Sequence, residues 1–280
     1  MIRRPPRSTR KESSAASDVY KRQTKLTLNL LLFCSITRSI HMQDNRYANV
    51  SSAQASQIDI GLRRYMLGVY NHMTTALALT GLFAFAMKWA ALSIPGVAQT
   101  VYGSPLQYVV MFAPFALVMY LSFNIQKLSP FTARNVFYLY AALMGLSLSS
   151  ILLVFTGESV ARAFFVTAGA FAGLSIYGYT TKRDLTAMGS FMIIGLFGII
   201  IASLVNIFVG SDLMQFAISV IGVFVFDGLT AWDTQTIKSM YSAADSAQAA
   251  ATKSIFGALK LYLDFINMFI MLLHLFGNRE

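Results

Sequence analysis

Cysteine is almost missing from this chain: Cys34 is the only one in 280 residues, and it precedes the long apolar runs. Disulfide frameworks, cysteine-based zinc clusters and thiol catalysis are therefore excluded from everything after residue 41. Charge is scarce as well. Asp, Glu, Lys and Arg supply 12% of the residues, against 56% hydrophobic. A soluble domain of this size needs more charge to cover its surface. The apolar runs must instead find their solvent in a bilayer, consistent with a mean hydropathy of +0.57.

The formal charge of +10 does not point to nucleic acid, because of where it sits. Residues 1–41 hold nine Lys/Arg and two Asp/Glu, a net of +7, which leaves 13 against 10 for the remainder. The opening segment, MIRRPPRSTRKESSAASDVYKRQ, reads as adaptor-derived or upstream translated sequence. TKLTLNLLLFCSITRSI follows with a basic residue ahead of a short apolar run, as a signal peptide would, but has no clear small-residue cleavage site. The expectation is a non-native leader over 1–41 with translation starting at Met42. A polar arm over 42–64 and a transmembrane domain over 65–277 then follow.

Seven apolar stretches approach the roughly 20 residues that a bilayer-spanning helix needs. They are Tyr65–Met87, Leu106–Phe123, Asn135–Phe155, Ser159–Tyr179, Met188–Val209, Leu213–Trp232 and Ile255–Phe276. The pattern predicts an all-α integral membrane protein, a bundle of seven transmembrane helices. Basic residues gather on alternate connections: Arg63 and Arg64, Lys127 and Arg134, Lys182 and Arg183, Lys238 and Lys253. That bias places the N-terminus in the cytoplasm and, after seven spans, Arg279 outside.

Charges in hydrocarbon are expensive, so those within the spans carry the most information. Asp227 lies inside the sixth span and Asp233 at its end; Lys260 and Asp264 lie in the seventh. Lys260 and Asp264 are four apart on one helix face, where they can neutralise each other, and Asn267 extends the stripe. Lys260 has a plainer reading, with its ammonium snorkelling to the interface. Asp264 is too short to snorkel from mid-span. Asp233 is either a boundary carboxylate in water or a site residue. An acid near a helix C-terminus opposes the macrodipole, which makes a purely structural role less natural. Asp227 shares a stripe with Thr230 and Thr234, and either lines the same cavity or is an idiosyncrasy of this chain. His72 reads as a packed, neutral histidine bonded to another helix, since no acid or second histidine stands at metal spacing. His274 reads as an interfacial anchor.

At YNHMTTALALTGL, GYTTKRDLTAMGSF, LTAWDTQ and ALKLYLDFINMFIMLL the chain resembles the Bax inhibitor-1 (YccA-like) family, in its bacterial branch, across about Ile60–Gly277. The resemblance implies a seven-helix bundle with the last helix near its centre. It further implies a pH-sensitive calcium leak in a bacterial inner membrane, whose paired aspartates fall on Asp233 and Asp264. Relatives latch these acids with a basic residue of the second span; SFNIQKLSP offers Asn124, Gln126 and Lys127 for that role.

Chemistry fits two such acids. Carboxylates held close in a poorly solvated cavity cannot both ionise cheaply, and one shared proton removes their repulsion. Apart and hydrated, they present hard oxygen ligands to calcium. Proton and calcium then compete for one site. The expected partners are therefore the lipid bilayer, calcium and protons, with no cofactor, no nucleic acid and no enzymatic step. Three rivals differ in kind. An intramembrane aspartyl protease needs Gly-x-Gly-Asp and Pro-Ala-Leu signatures that are lacking here. A retinal protein with Lys260 as Schiff base needs a counter-ion, and the third span has no acid. A membrane interaction protein, modulating a protease or stress-survival complex through the arm or the 233–254 segment, is the alternative function.

Overall fold

The computed structural model describes residues 59–125 and 127–278. The leader, the polar arm through residue 58, Gln126 and Arg279 lie outside the described residues. Within them the chain forms eight α-helices. These are α1 (Asp59–Ser93), α2 (Val97–Tyr102), α3 (Leu106–Asn124), α4 (Pro130–Val154), α5 (Gly157–Thr180), α6 (Thr186–Val209), α7 (Asp212–Ser239) and α8 (Ala247–Phe276). All except the six-residue α2 are long and apolar enough to cross a membrane.

Each predicted span is found, and most are longer than hydropathy alone indicates. α1 starts six residues before Tyr65, so it takes in Arg63 and Arg64, which were assigned to the arm. α7 runs seven residues past Trp232, and α8 starts eight before Ile255. Backbone hydrogen bonding does not stop where side chains turn polar, and capping residues set the ends instead. Ser129, Thr156, Ser211 and Ser246 each accept from a backbone N–H three residues on, opening α4, α5, α7 and α8. Pro130 stands at the first position of α4, where a missing N–H costs nothing. α2 was not expected, because six residues leave too short a period to read.

Burial ranks the helices. In its most apolar window α8 is 67% buried, whereas α6, the most hydropathic helix, is only 6% buried. Phe191, Ile194, Phe197, Ile201 and Phe208 of α6 all point outward and suit lipid. α8 therefore occupies the centre, packed against α4, α5 and α7. Phe137, Tyr140, Leu259, Leu261, Tyr262 and Leu273 are almost wholly enclosed. α1 is tied into this centre by one hydroxyl: Thr80 Oγ1 lies 2.8 Å from the Ala141 carbonyl of α4 and 2.7 Å from the Tyr262 hydroxyl of α8.

Small residues set two of the close approaches. A Cβ on Gly178 of α5 would strike the Ala231 backbone of α7, and one on Gly145 of α4 would strike the Thr80 carbonyl of α1. A Cβ on Gly169 would meet nothing. Gly178→Ala should therefore lower stability by about 1–3 kcal/mol, the range for overpacking. Gly169→Ala should leave it unchanged or raise it by about 0.5–1 kcal/mol. Thermal unfolding in detergent separates the two.

Outside the membrane, Asp184 lies two residues before the start of α6 at Thr186. Its Oδ1 accepts from the Thr186 hydroxyl at 2.6 Å and the Thr186 amide at 2.9 Å, and these bonds hold its carboxyl below the usual aspartate range. A depressed carboxylate contributes fully at neutral pH, and that contribution is lost as pH falls through the lowered value. Amide exchange in the first turn of α6 should thus stay slow down through the ordinary aspartate range and quicken only below it. In Asp184→Ala it should be fast at neutral pH.

Candidate functional site

α7 and α8 pack against each other along their length, and the AWDTQ segment of α7 faces the middle of α8. Lys260 Nζ of α8 donates to Asp233 Oδ1 of α7 at 2.8 Å. Asp233 is 7% exposed, and the Lys260 side chain 27% exposed. The ammonium also lies 5.2 Å from the Trp232 ring centroid and 5.9 Å from that of Phe256. Two π faces and one carboxylate thus replace much of the water that a lysine would otherwise keep.

This overturns the pairing expected within α8. Lys260 reaches across to Asp233 rather than one turn onward to Asp264. The i,i+4 spacing permits the partner on α8, but both acids are enclosed, and the packing of α7 on α8 is what brings Asp233 to the ammonium. Asp264 is 5% exposed, and its Oδ2 finds no hydrogen-bond partner among the described residues. The charges of Asp233 and Lys260 both act on it, with opposite sign. The structure thus brings Asp233, Lys260 and Asp264 together as one electrostatic group.

The other sequence candidates fall outside that group. Asn267 donates to the Leu263 carbonyl on its own helix, at 2.8 Å. Asp227 is half-buried, its Oδ1 is unpartnered, and no hydrogen bond or ion pair joins it to Asp233, Lys260 or Asp264. Of the latch candidates, Asn124 donates to the Tyr120 carbonyl, Lys127 is exposed and forms no ion pair among the described residues, and Gln126 lies outside them. The basic residue beside the aspartates comes from the last span, not the second. His72 bonds the Tyr138 hydroxyl of α4 at 2.8 Å, the interhelical role expected for it.

Neighbours of the triad hold it in place, and composition alone did not mark them. Ala231 gives α5 its close approach, and Trp232 covers both Lys260 and Gly189 of α6. Thr234 meets Ser175 of α5 at 3.2 Å. Gln235 accepts from the Leu185 amide at 2.9 Å and donates to the Arg183 carbonyl at 2.8 Å, clamping the α5–α6 connection. Every residue of AWDTQ therefore has a partner on another element. The available signal was a dense polar run closing an apolar helix, in which spacing pointed only to the acid.

Among the described residues no group of three or more His, Cys, Asp or Glu is placed to hold a metal ion. Any hard cation here would find carboxylate oxygens from two aspartates and would need water or carbonyls for the rest.

Comparison with known proteins identifies the family. The family model described as "Inhibitor of apoptosis-promoting Bax1" matches residues 62–280. The chain is 46% identical over 223 residues to the inner membrane protein YbhL of Escherichia coli K12, covering 79% of this chain and 94% of YbhL. It is 45% identical over 230 residues to the uncharacterized protein RP147 of Rickettsia prowazekii, covering 82% and 96%. A protein of Caulobacter vibrioides is 45% identical over 234 residues, with 80% and 92% covered.

The cross-helix pair has a stability consequence. Lys260→Met should strand Asp233 and cost about 2–3 kcal/mol, less than a fully buried pair would, because Lys260 keeps some water. Lys260→Met combined with Asp233→Asn should recover most of that loss. Thermal unfolding of the two variants in the same detergent measures the recovery.

Proposed function

Because this integral membrane protein belongs to the Bax inhibitor-1 family, we propose that it is a pH-sensitive calcium leak whose gate is the Asp233–Lys260–Asp264 group. The observation that carries the reading is an enclosed aspartate, Asp233, held by the Lys260 ammonium, beside a second enclosed aspartate, Asp264, with one carboxylate oxygen left without a protein donor.

The charge count shows how such a gate works. With both acids ionised, the group carries one net negative charge. One proton brings it to neutral, and one divalent cation brings it to a single positive charge. Binding both leaves a net charge of +2, which an enclosed site resists. Proton and calcium therefore exclude each other, and the group has two stable loads. Lys260 acts as a tethered cation: while it holds Asp233, it occupies one of the two carboxylates that calcium needs. Calcium must displace the ammonium towards Trp232 and Phe256 to engage both acids. Two carboxylates completed by water make a weak site, which suits passage better than storage.

The setting we assign is a bacterial inner membrane with the N-terminus and the basic connections on the cytoplasmic side. The Lys/Arg distribution supports that orientation, and the name of the Escherichia coli relative supports the membrane.

Calcium flux into proteoliposomes tests the reading, using the full chain across roughly pH 5.5–8.5, a range that brackets a shared carboxylate proton. Flux should vary with pH in the wild type and lose that dependence in Asp233→Asn and in Asp264→Asn. Folded protein that passes no more calcium than empty liposomes would overturn the channel and favour the interaction protein.

A further inference from the structure

α1 and α5 run antiparallel, and two cavities separate them. One, of about 690 Å³, lies between Arg63–Leu77 of α1 and Phe164–Tyr179 of α5. The other, of about 480 Å³, lies between Thr74–Phe85 and Gly157–Phe165. They share Thr74, Leu77, Phe164 and Phe265, so they form one continuous groove with α8 as part of its floor. From Arg63 to Phe85 the groove follows 22 residues of helix, about 33 Å at 1.5 Å per residue. That matches the roughly 30 Å hydrocarbon thickness of a bilayer.

Its walls are almost entirely apolar, and it opens sideways: Leu67 is 60% exposed and Phe165 72% exposed. Its width comes from small side chains, since a Cβ on Gly81 or Gly157 would meet nothing. Helices lined by small residues ordinarily close on each other. These do not, and the gap is long, narrow and at membrane depth.

The two ends differ in charge. Arg63 lines one end, is exposed, and forms no ion pair among the described residues. Lys238 is held at the same end through Tyr179 of the wall, with Nζ 2.8 Å from the Tyr179 carbonyl and 4.8 Å from the Tyr179 ring centroid. At the other end Lys88 is engaged with the Leu152 carbonyl, and Arg162 is paired with Glu158. Each end thus has a lysine bonded to a backbone carbonyl, and what distinguishes the Arg63 end is an exposed arginine without an ion pair among the described residues.

We propose that this groove binds one anionic phospholipid, its acyl tail lying between α1 and α5 and its phosphate meeting Arg63 and Lys238. A tail has the length and apolarity of the groove, and the headgroup supplies the complementary charge at the end that carries the unpaired Arg63. The tail would also lie close to the aspartates. Phe265 of the floor adjoins Asp264, and Ser175 of the wall bonds Thr234, next to Asp233. The proposal does not depend on calcium passage and stands or falls separately from it.

Native mass spectrometry of the full chain, released from detergent with equal phosphatidylglycerol and phosphatidylethanolamine, is the test. The wild type should retain one lipid and prefer phosphatidylglycerol. Ala168→Phe, which fills the segment near Phe164, should weaken retention of both lipids about tenfold, equivalent to about two displaced methylenes. Arg63→Gln with Lys238→Gln should keep the tail but lose about fivefold or more of the preference for phosphatidylglycerol. Circular dichroism checks the fold, and Ala172→Phe replaces Ala168→Phe if that variant does not fold. No lipid on the wild type, undiminished retention in the folded filling variant, or an unchanged preference in the double glutamine variant would overturn the proposal. So would a lipid-free dimer, which would assign the groove to a second copy of the chain.

Discussion

One ion pair organises this bundle. A carboxylate brought into a low-dielectric interior without a counter-charge is among the costliest things a fold can do. Here Asp233 meets that cost through a single hydrogen bond from Lys260 on the next helix. The pair fixes the rotation of α7 against α8, because only one face of each helix carries a charge that the other can answer. It also fixes their relative depth, since sliding by a turn would part the two groups. Asp264 is then left as the surplus acid, enclosed and without a donor for one oxygen.

The surroundings of the pair give it consequence. Trp232 backs the ammonium, Thr234 leads to α5, and Gln235 leads to the α5–α6 connection. Asp233 is thereby joined, through its neighbours in sequence, to two other helices and one loop by direct contact. A lone buried salt bridge is weak evidence of function, because many are structural. Here the pair stands beside a second enclosed carboxylate, and that surplus acid is what the proposed gate draws on.

Much of this was legible in the sequence, for identifiable reasons. Spans are written in runs of about 20 apolar residues, and nothing else in a protein needs them. Asp233, Lys260 and Asp264 stood out because charge within such runs is rare. The partner of Lys260 was not legible. Its own helix offered Asp264 at a permissible spacing, and only the rotation of α7 against α8 decides for Asp233. The ends of α1, α7 and α8 were missed because backbone hydrogen bonds continue beneath polar side chains. The groove had no signature either, because it is a gap left by packing rather than a property of any segment.

The position of α8 bears on how the molecule is made. It is the most enclosed helix, and it leaves the ribosome after the other six spans. Until it arrives, the surfaces of α4, α5 and α7 have nothing to close around, and Asp233 has no counter-ion. The earlier helices can pair among themselves, α5 and α6 on α7 and α3 on α4, but their faces toward α8 stay lipid-solvated, with an acid near the interface held by water. Insertion of α8 then completes the core and neutralises Asp233 in one event. Assembly is thereby tied to the synthesis of α8, and a chain stalled before Lys260 would stay open to membrane proteases that survey unfinished proteins.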